Sequence, residues 1–205
     1  MSNKRQSGFT LIEIVIVTAI GSMLAVIALA GFSTLRGEAQ FSDSIEHIKE
    51  DVTAKRTEAL TTVKLGGGTD TANITFGRVL TFNPGTSTVN VDTLYTSSST
   101  SPTAAQAVKI VPAESTALSL NWGITFKNSS LGNHKIQVAF VRSPVDGTLE
   151  TAISPDNGWS GAPSYTYGQF VPNGPAVNLN FVDPSGRKAY LTIDPTNDSI
   201  TRTFQ

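Results

Sequence analysis

The sequence predicts an α+β fold: a long N-terminal helix, membrane-spanning and then amphipathic, packed on a C-terminal antiparallel β domain. Three observations carry this. From Ile14 to Leu35 the chain runs for 22 residues without a charge, mostly Ile, Val, Ala and Leu. From Phe41 the apolar residues Phe41, Ile45, Ile48, Val52, Ala59 and Val63 recur in steps that mark one face of a helix. Beyond Leu65 the segments alternate or are β-branched and are separated by Gly, Pro, Asn and Asp turns. A chain of 205 residues and 21.7 kDa holds one domain of ordinary size and an extension.

Composition narrows the function. Charged residues are 15% and the formal net charge is −1, which is not the footprint of a non-specific nucleic-acid binder. Cysteine is absent, which removes disulfides, thiolate nucleophiles and Cys-type zinc sites. The two histidines, His47 and His134, leave little for a metal site or a triad.

The N-terminal segment Met1–Gly8 is short and polar, with Lys4 and Arg5. The uncharged run after it is long enough to span a bilayer, since about 20 apolar residues suffice. Basic residues before the span place the N-terminus in the cytoplasm and the remainder outside. A secretory signal peptide would have a shorter apolar core followed by a small-x-small cleavage site. A plain signal anchor leaves Glu13 unexplained, because a carboxylate close to a membrane helix is costly and usually has a partner.

The residues Gly8-Phe9-Thr10-Leu11-Ile12-Glu13 resemble the prepilin processing motif of type IV pilins and type II secretion pseudopilins. The resemblance implies cleavage between Gly8 and Phe9 by a prepilin peptidase, N-methylation of Phe9, and use of Glu13 in assembly. The new α-amine of Phe9 and the Glu13 carboxylate lie one helical turn apart. Within one chain they neutralise each other; between chains the amine of an incoming subunit pairs with Glu13 of its neighbour and fixes the stagger. The blander reading is that Glu13 marks the membrane interface.

The second half of the helix alternates its apolar face with Glu38, Asp43, Glu46, Lys49, Glu50, Asp51, Lys55, Arg56, Glu58 and Lys64. Gly66-Gly67-Gly68 is expected to end it. A helix from Phe9 to Leu65 would be about 85 Å long. Gly21, Gly31 and Gly37 are its weak points, and a bend at Gly37 would cost little. No Pro precedes Pro84, unlike many type IV pilins. The expected division is therefore a leader over 1–8, a transmembrane or filament-core helix over 9–36, an amphipathic helix over 37–65 and a β-rich head over 66–205, the head packing with 37–65 as one domain.

Strands are expected at Ile74–Phe82, Thr88–Tyr95, Ala117–Phe126, Lys135–Arg142, Val177–Val182, Lys188–Ile193 and Ser199–Phe204. The turn signals are Asn83-Pro84-Gly85, Asp146-Gly147, Asp156-Asn157-Gly158, Asp183-Pro184-Ser185-Gly186 and Asp194-Pro195-Thr196-Asn197-Asp198. The last three strands should form an antiparallel meander. The Ser/Thr-rich stretch Thr96–Thr103 reads as an exposed loop, glycosylation there being the second reading.

The helix-end run Ala54-Lys55-Arg56-Thr57-Glu58-Ala59-Leu60, with Val63-Lys64-Leu65 and the later Asp183–Arg187 hairpin, is similar to the GspH/FimT type of minor pseudopilin. Some members of that group bind DNA through basic C-terminal residues. Here Arg187, Lys188 and Arg202 are offset by Asp183, Asp194 and Asp198, so the electrostatic case for DNA uptake is poor.

Enzyme motifs are missing: there is no nucleophile elbow, P-loop, H-E-x-x-H or dinucleotide fingerprint. His47 reads as a solvated helix residue and His134 as a turn residue. Asp183, Asp194 and Asp198, with Asn197, are weak candidates for calcium, since turns require the same residues. Trp122 and Trp159 read as core and loop anchors rather than a ligand platform. The expected function is structural, without a cofactor. The chain is expected to polymerise with copies of itself and with other pilins or pseudopilins, after processing by prepilin peptidase and delivery to an inner-membrane assembly platform. It would pass from the inner membrane to a periplasmic or surface filament. The rival readings are a minor pilin acting in DNA uptake or adhesion through its β domain, and an enzyme or sensor on a signal anchor that retains residues 1–8.

Overall fold

A computed structural model describes residues 10–61, 64–65, 73–96, 107–110, 116–143, 148–154, 159, 164–166, 170 and 174–205. Gly8, Phe9, the Gly66–Gly68 stop, the loop expected at Thr96–Thr103 beyond its first residue, and the turns at Asp146-Gly147 and Asp156–Gly158 lie outside them.

Helix α1 runs Leu11–Leu60 without interruption at Gly21, Gly31 or Gly37. The expected end at Leu65 is corrected: α1 stops five residues earlier. Thr61, Thr62 and Val63 are consecutive β-branched residues that lose side-chain freedom in a helix. Lys64–Leu65 instead forms strand β1, antiparallel to Ile74 and Asn73. The chain divides into two compact units, one up to Ser42 and one from Asp43 to Gln205.

In the first unit the apolar side chains from Leu11 to Leu35 are exposed. Its hydroxyls are satisfied within the helix. Thr18 donates to the Ile14 carbonyl at 2.9 Å, Ser22 to Ala19 at 2.8 Å and Ser33 to Ala30 at 2.8 Å. A helix built this way presents no unpaired hydroxyl to an apolar surrounding.

The second unit combines the end of α1 with eleven further strands: β2 (Asn73–Phe82), β3 (Thr88–Thr96), β4 (Ala107–Ile110), β5 (Thr116–Ser119), β6 (Thr125–Ser129), β7 (Ile136–Arg142), β8 (Leu149–Ile153), β9 (Ser164–Thr166), β10 (Val177–Val182), β11 (Lys188–Asp194) and β12 (Ser199–Phe204). One sheet has the order β8-β7-β2-β3-β4-β9, with β1 beside β2 and β5 beside β3; the other has the order β12-β11-β10-β6. The meander β10-β11-β12 is antiparallel, as its turn signals predict. The strand expected at Ala117–Phe126 is corrected. It is two strands in different sheets, β5 on β3 and β6 on β10, joined by a 3-10 turn at Asn121–Gly123.

Side chains alternate across β2 and β7, so each face of the larger sheet builds its own core. On one face Phe82 meets Phe126 and Phe181 of the smaller sheet, with ring centroids 5.7 and 6.3 Å away. On the other, Val79, Leu94, Ala139, Val141 and Ala152 pack with Trp159 and Phe170, whose rings meet edge-on at 5.0 Å. Buried Gln137 braces this second core: its amide donates to the Thr81 hydroxyl at 3.2 Å and its carbonyl accepts from the Trp159 backbone N–H at 2.9 Å.

Ile45, Ile48, Val52 and Ala59 of α1 are buried, the face that the spacing marks. Three ion pairs carry the helix onto both sheets. Glu46 meets Arg202 of β12 at 2.7 Å, Glu58 meets Arg78 of β2 at 3.4 Å, and Arg56 meets Asp198 in the β11–β12 turn.

Candidate processing and assembly site

The start of α1 is set by Thr10 and Glu13. The Thr10 backbone N–H donates to Glu13 Oε2 at 2.8 Å and the Thr10 hydroxyl donates to the same oxygen at 2.9 Å. In return the Glu13 N–H reaches the Thr10 hydroxyl at 3.4 Å. This is a reciprocal capping box, which satisfies donors that the first helical turn otherwise leaves unpaired. The spacing Thr-x-x-Glu before an apolar run is its sequence signal; reading Glu13 only as a charge overlooks it. A carboxylate here also suits the positive end of the helix dipole. Glu13 is thus placed at the first turn, exposed, with the exposed apolar residues following directly. Gly8 and Phe9 precede the described residues, so their geometry adds nothing.

Other sequence candidates take structural roles. Asp183 is buried in the β10–β11 turn. Its Oδ1 accepts from the Ser185 and Arg187 backbone N–H groups at 3.0 and 2.9 Å, and its Oδ2 from Arg187 Nε at 2.7 Å. Burial pushes this carboxyl up, but the Arg187 hydrogen bonds and charge, with the Ser185 N–H, hold it below the usual range. Asp194 accepts from the Asn197 side chain at 2.6 Å and from the Asn197 and Thr196 N–H groups, which also lowers its pKa. Asp198 binds Arg56 and accepts from the Thr151 hydroxyl at 3.4 Å. Among the described residues no group of three or more His, Asp or Glu is placed to hold a metal ion.

His47 lies exposed between Asp43 at 3.8 Å and Glu50 at 3.4 Å. His134 follows the turn closed by the Ser129–Gly132 bridge. The two tryptophans separate. Trp159 is buried at 7% exposure, whereas Trp122 is 62% exposed. The reading of Trp122 as an anchor is therefore corrected. Trp122 also has φ 59°, a left-handed conformation that costs a bulky residue about 1–3 kcal/mol.

Residues 3–29 match the prokaryotic N-terminal methylation motif, the class III signal of type IV pilins and pseudopilins. No curated protein and no solved structure matches the chain. The match covers the basic segment, Gly8, Phe9, the capping box and the first part of the exposed apolar helix. The motif points to a structural, pilin-type precursor, and α1 is long and apolar enough to cross a membrane.

Proposed function

We propose that the chain is a structural subunit of a type IV pilus or a type II secretion pseudopilus. Prepilin peptidase cuts between Gly8 and Phe9, Phe9 is N-methylated, and the subunit polymerises through α1. The observation that carries this reading is the methylation motif at residues 3–29 running directly into a helix whose apolar side chains from Leu11 to Leu35 are exposed. Such a surface needs lipid or other helices around it. Before assembly the helix sits in the inner membrane with its N-terminus in the cytoplasm, as Lys4 and Arg5 favour. In the filament the same surface packs against copies of itself and other pilins or pseudopilins, delivered by an inner-membrane platform.

Glu13 then changes partners. In the precursor it caps its own helix through Thr10. After cleavage the α-amine of an incoming subunit competes for this carboxylate. A charged partner in a helix bundle of low dielectric outweighs two neutral donors. That exchange ties the stagger of subunits to processing.

The test is the intact mass of the protein from native-host membranes and sheared filaments. The expected species begins at N-methyl-Phe9. A chain still beginning at Met1 or Ser2 in a host with active prepilin peptidase overturns the proposal.

A further inference from the structure

Fold and packing do not explain Trp122. Turn positions with positive φ are normally filled by glycine, as Gly85, Gly123 and Gly186 do here. Trp122 adopts the same backbone region with its side chain largely in water, so neither local preference nor burial accounts for it. The turn that carries it is firmly held. Leu120 N–H donates to Ser87 O at 2.8 Å and Ile124 N–H to Asn121 O at 3.2 Å. Gly123 lies so close to Pro184 that an added Cβ would sit 3.0 Å from the proline ring. Just beyond, Phe126 exchanges backbone hydrogen bonds with Gly85 and Thr86 at 2.8 and 3.0 Å, which fixes β6 to the β2–β3 turn.

Along that junction runs an open cleft of about 600 Å³, lined by Pro84, Gly85, Thr125, Lys127, Asn128 and Asn133. Among the described residues its lining includes one cation, Lys127, and no carboxylate. Val182 also lines it, and Lys188 lies opposite Val182 in the β10–β11 register and is exposed. Asp183, next to Val182 in sequence, is buried and engaged by Arg187.

We propose that the Trp122 turn and the adjoining cleft bind a glycan that carries carboxylate groups. The exposed indole offers a face for the C–H side of a sugar ring. The Asn133 amide pairs with hydroxyls, and Lys127 and Lys188 with the carboxylates. A rigid aromatic presented at a backbone cost is the kind of anchor that dominates a binding surface. This site does not depend on the pilin reading.

The test uses the full chain in detergent micelles, titrated with tetragalacturonate by isothermal calorimetry. Neutral galactotetraose and inorganic polyphosphate serve as comparisons. The expected result is saturable binding of tetragalacturonate, weakened at least about tenfold by Trp122→Ala. Lys127→Ala and Lys188→Ala should weaken it too, with thermal stability unchanged. Trp122→Gly, which suits the left-handed backbone, serves as the second variant and should lose binding as well. No binding at millimolar tetragalacturonate overturns the proposal. Equal binding of galactotetraose overturns the carboxylate requirement. Polyphosphate binding that matches tetragalacturonate and survives both Trp122 variants reduces the site to a basic patch and overturns it.

Discussion

Gly77 of β2 lies close against β7. A Cβ built on it would sit 2.4 Å from the Phe140 carbonyl oxygen and 3.0 Å from both Cα and Cγ1 of Val141. An ordinary carbon–oxygen contact is about 3.3–3.6 Å, so Gly77→Ala must open this contact by roughly 1 Å. The obstacle is backbone, and β2 is hydrogen-bonded on both sides, to β3 and β7, with a register shift between Thr75 and Gly77. No rotamer change relieves the clash; a central strand has to move. Overpacking of this kind costs about 1–3 kcal/mol. The lower entropy of the unfolded alanine chain returns about 0.4–1 kcal/mol, leaving a net loss near 1–2 kcal/mol. For a unit of this size each kcal/mol shifts Tm by about 2–4 °C. Gly77→Ala should therefore lower Tm by roughly 2–8 °C, read by near-ultraviolet circular dichroism of the full chain in detergent. An unchanged or higher Tm would show that the contact relaxes freely and would refute the argument.

Phe181→Ala removes a fully buried ring that meets Phe82 and Phe126 and should cost about 3–5 kcal/mol in urea unfolding. Asp183→Asn should cost about 1–3 kcal/mol at neutral pH, because hydrogen bonds to a buried charge are lost. The folded pKa of Asp183 is depressed, so its contribution is present above the unfolded value near 3.9 and disappears as pH falls through the folded value. The Tm gap between wild type and variant should accordingly close in acid, and a gap constant from pH 7 to pH 2 would contradict this. A double-mutant cycle on Glu46 and Arg202, both partly exposed, should give about 0.2–1 kcal/mol of coupling that shrinks in high salt. Glu13→Gln keeps a side chain able to complete the capping box but has no charge. Hydrogen exchange at positions 13 and 14, whose N–H groups bond to the Thr10 carbonyl, should match wild type while incorporation into filaments fails; normal incorporation would count against the proposed pairing.

The sequence was most legible where a single period ran between strong turn signals. Val177–Val182 and Ser199–Phe204 form strands over the expected residues, bounded by Asp-Pro turns. The helix face at Ile45, Ile48, Val52 and Ala59 is buried because a 3.6-residue period has one interpretation. Period two misleads between Ala117 and Phe126. Leu118, Leu120, Trp122, Ile124 and Phe126 alternate without a gap, yet Asn121–Gly123 is a turn and the chain changes sheets there. The alternation survives because Leu120 and Ile124 are buried on either side of the turn. Strands β4, β8 and β9 are short and are defined by their partners more than by their own residues. At the candidate site the motif residues were legible, but the mutual capping of Thr10 and Glu13 was not drawn from them. Ion pairs such as Arg56–Asp198, 142 residues apart, follow only from the tertiary fold.

The tie between Glu46 near the start of the second unit and Arg202 in its last strand bears on when the unit can fold. β12 is the final element of the described chain, and α1 packs on the sheet that β12 completes. The helix emerges early in synthesis and must wait for more than a hundred residues before its partner strand exists. Closing so long a loop is slow, because chain entropy is spent before the contact repays it. Until then Glu46 lacks the guanidinium that meets it in the folded unit, and the apolar stripe Ile45–Ile48–Val52 is open to wrong partners until the sheets form over it.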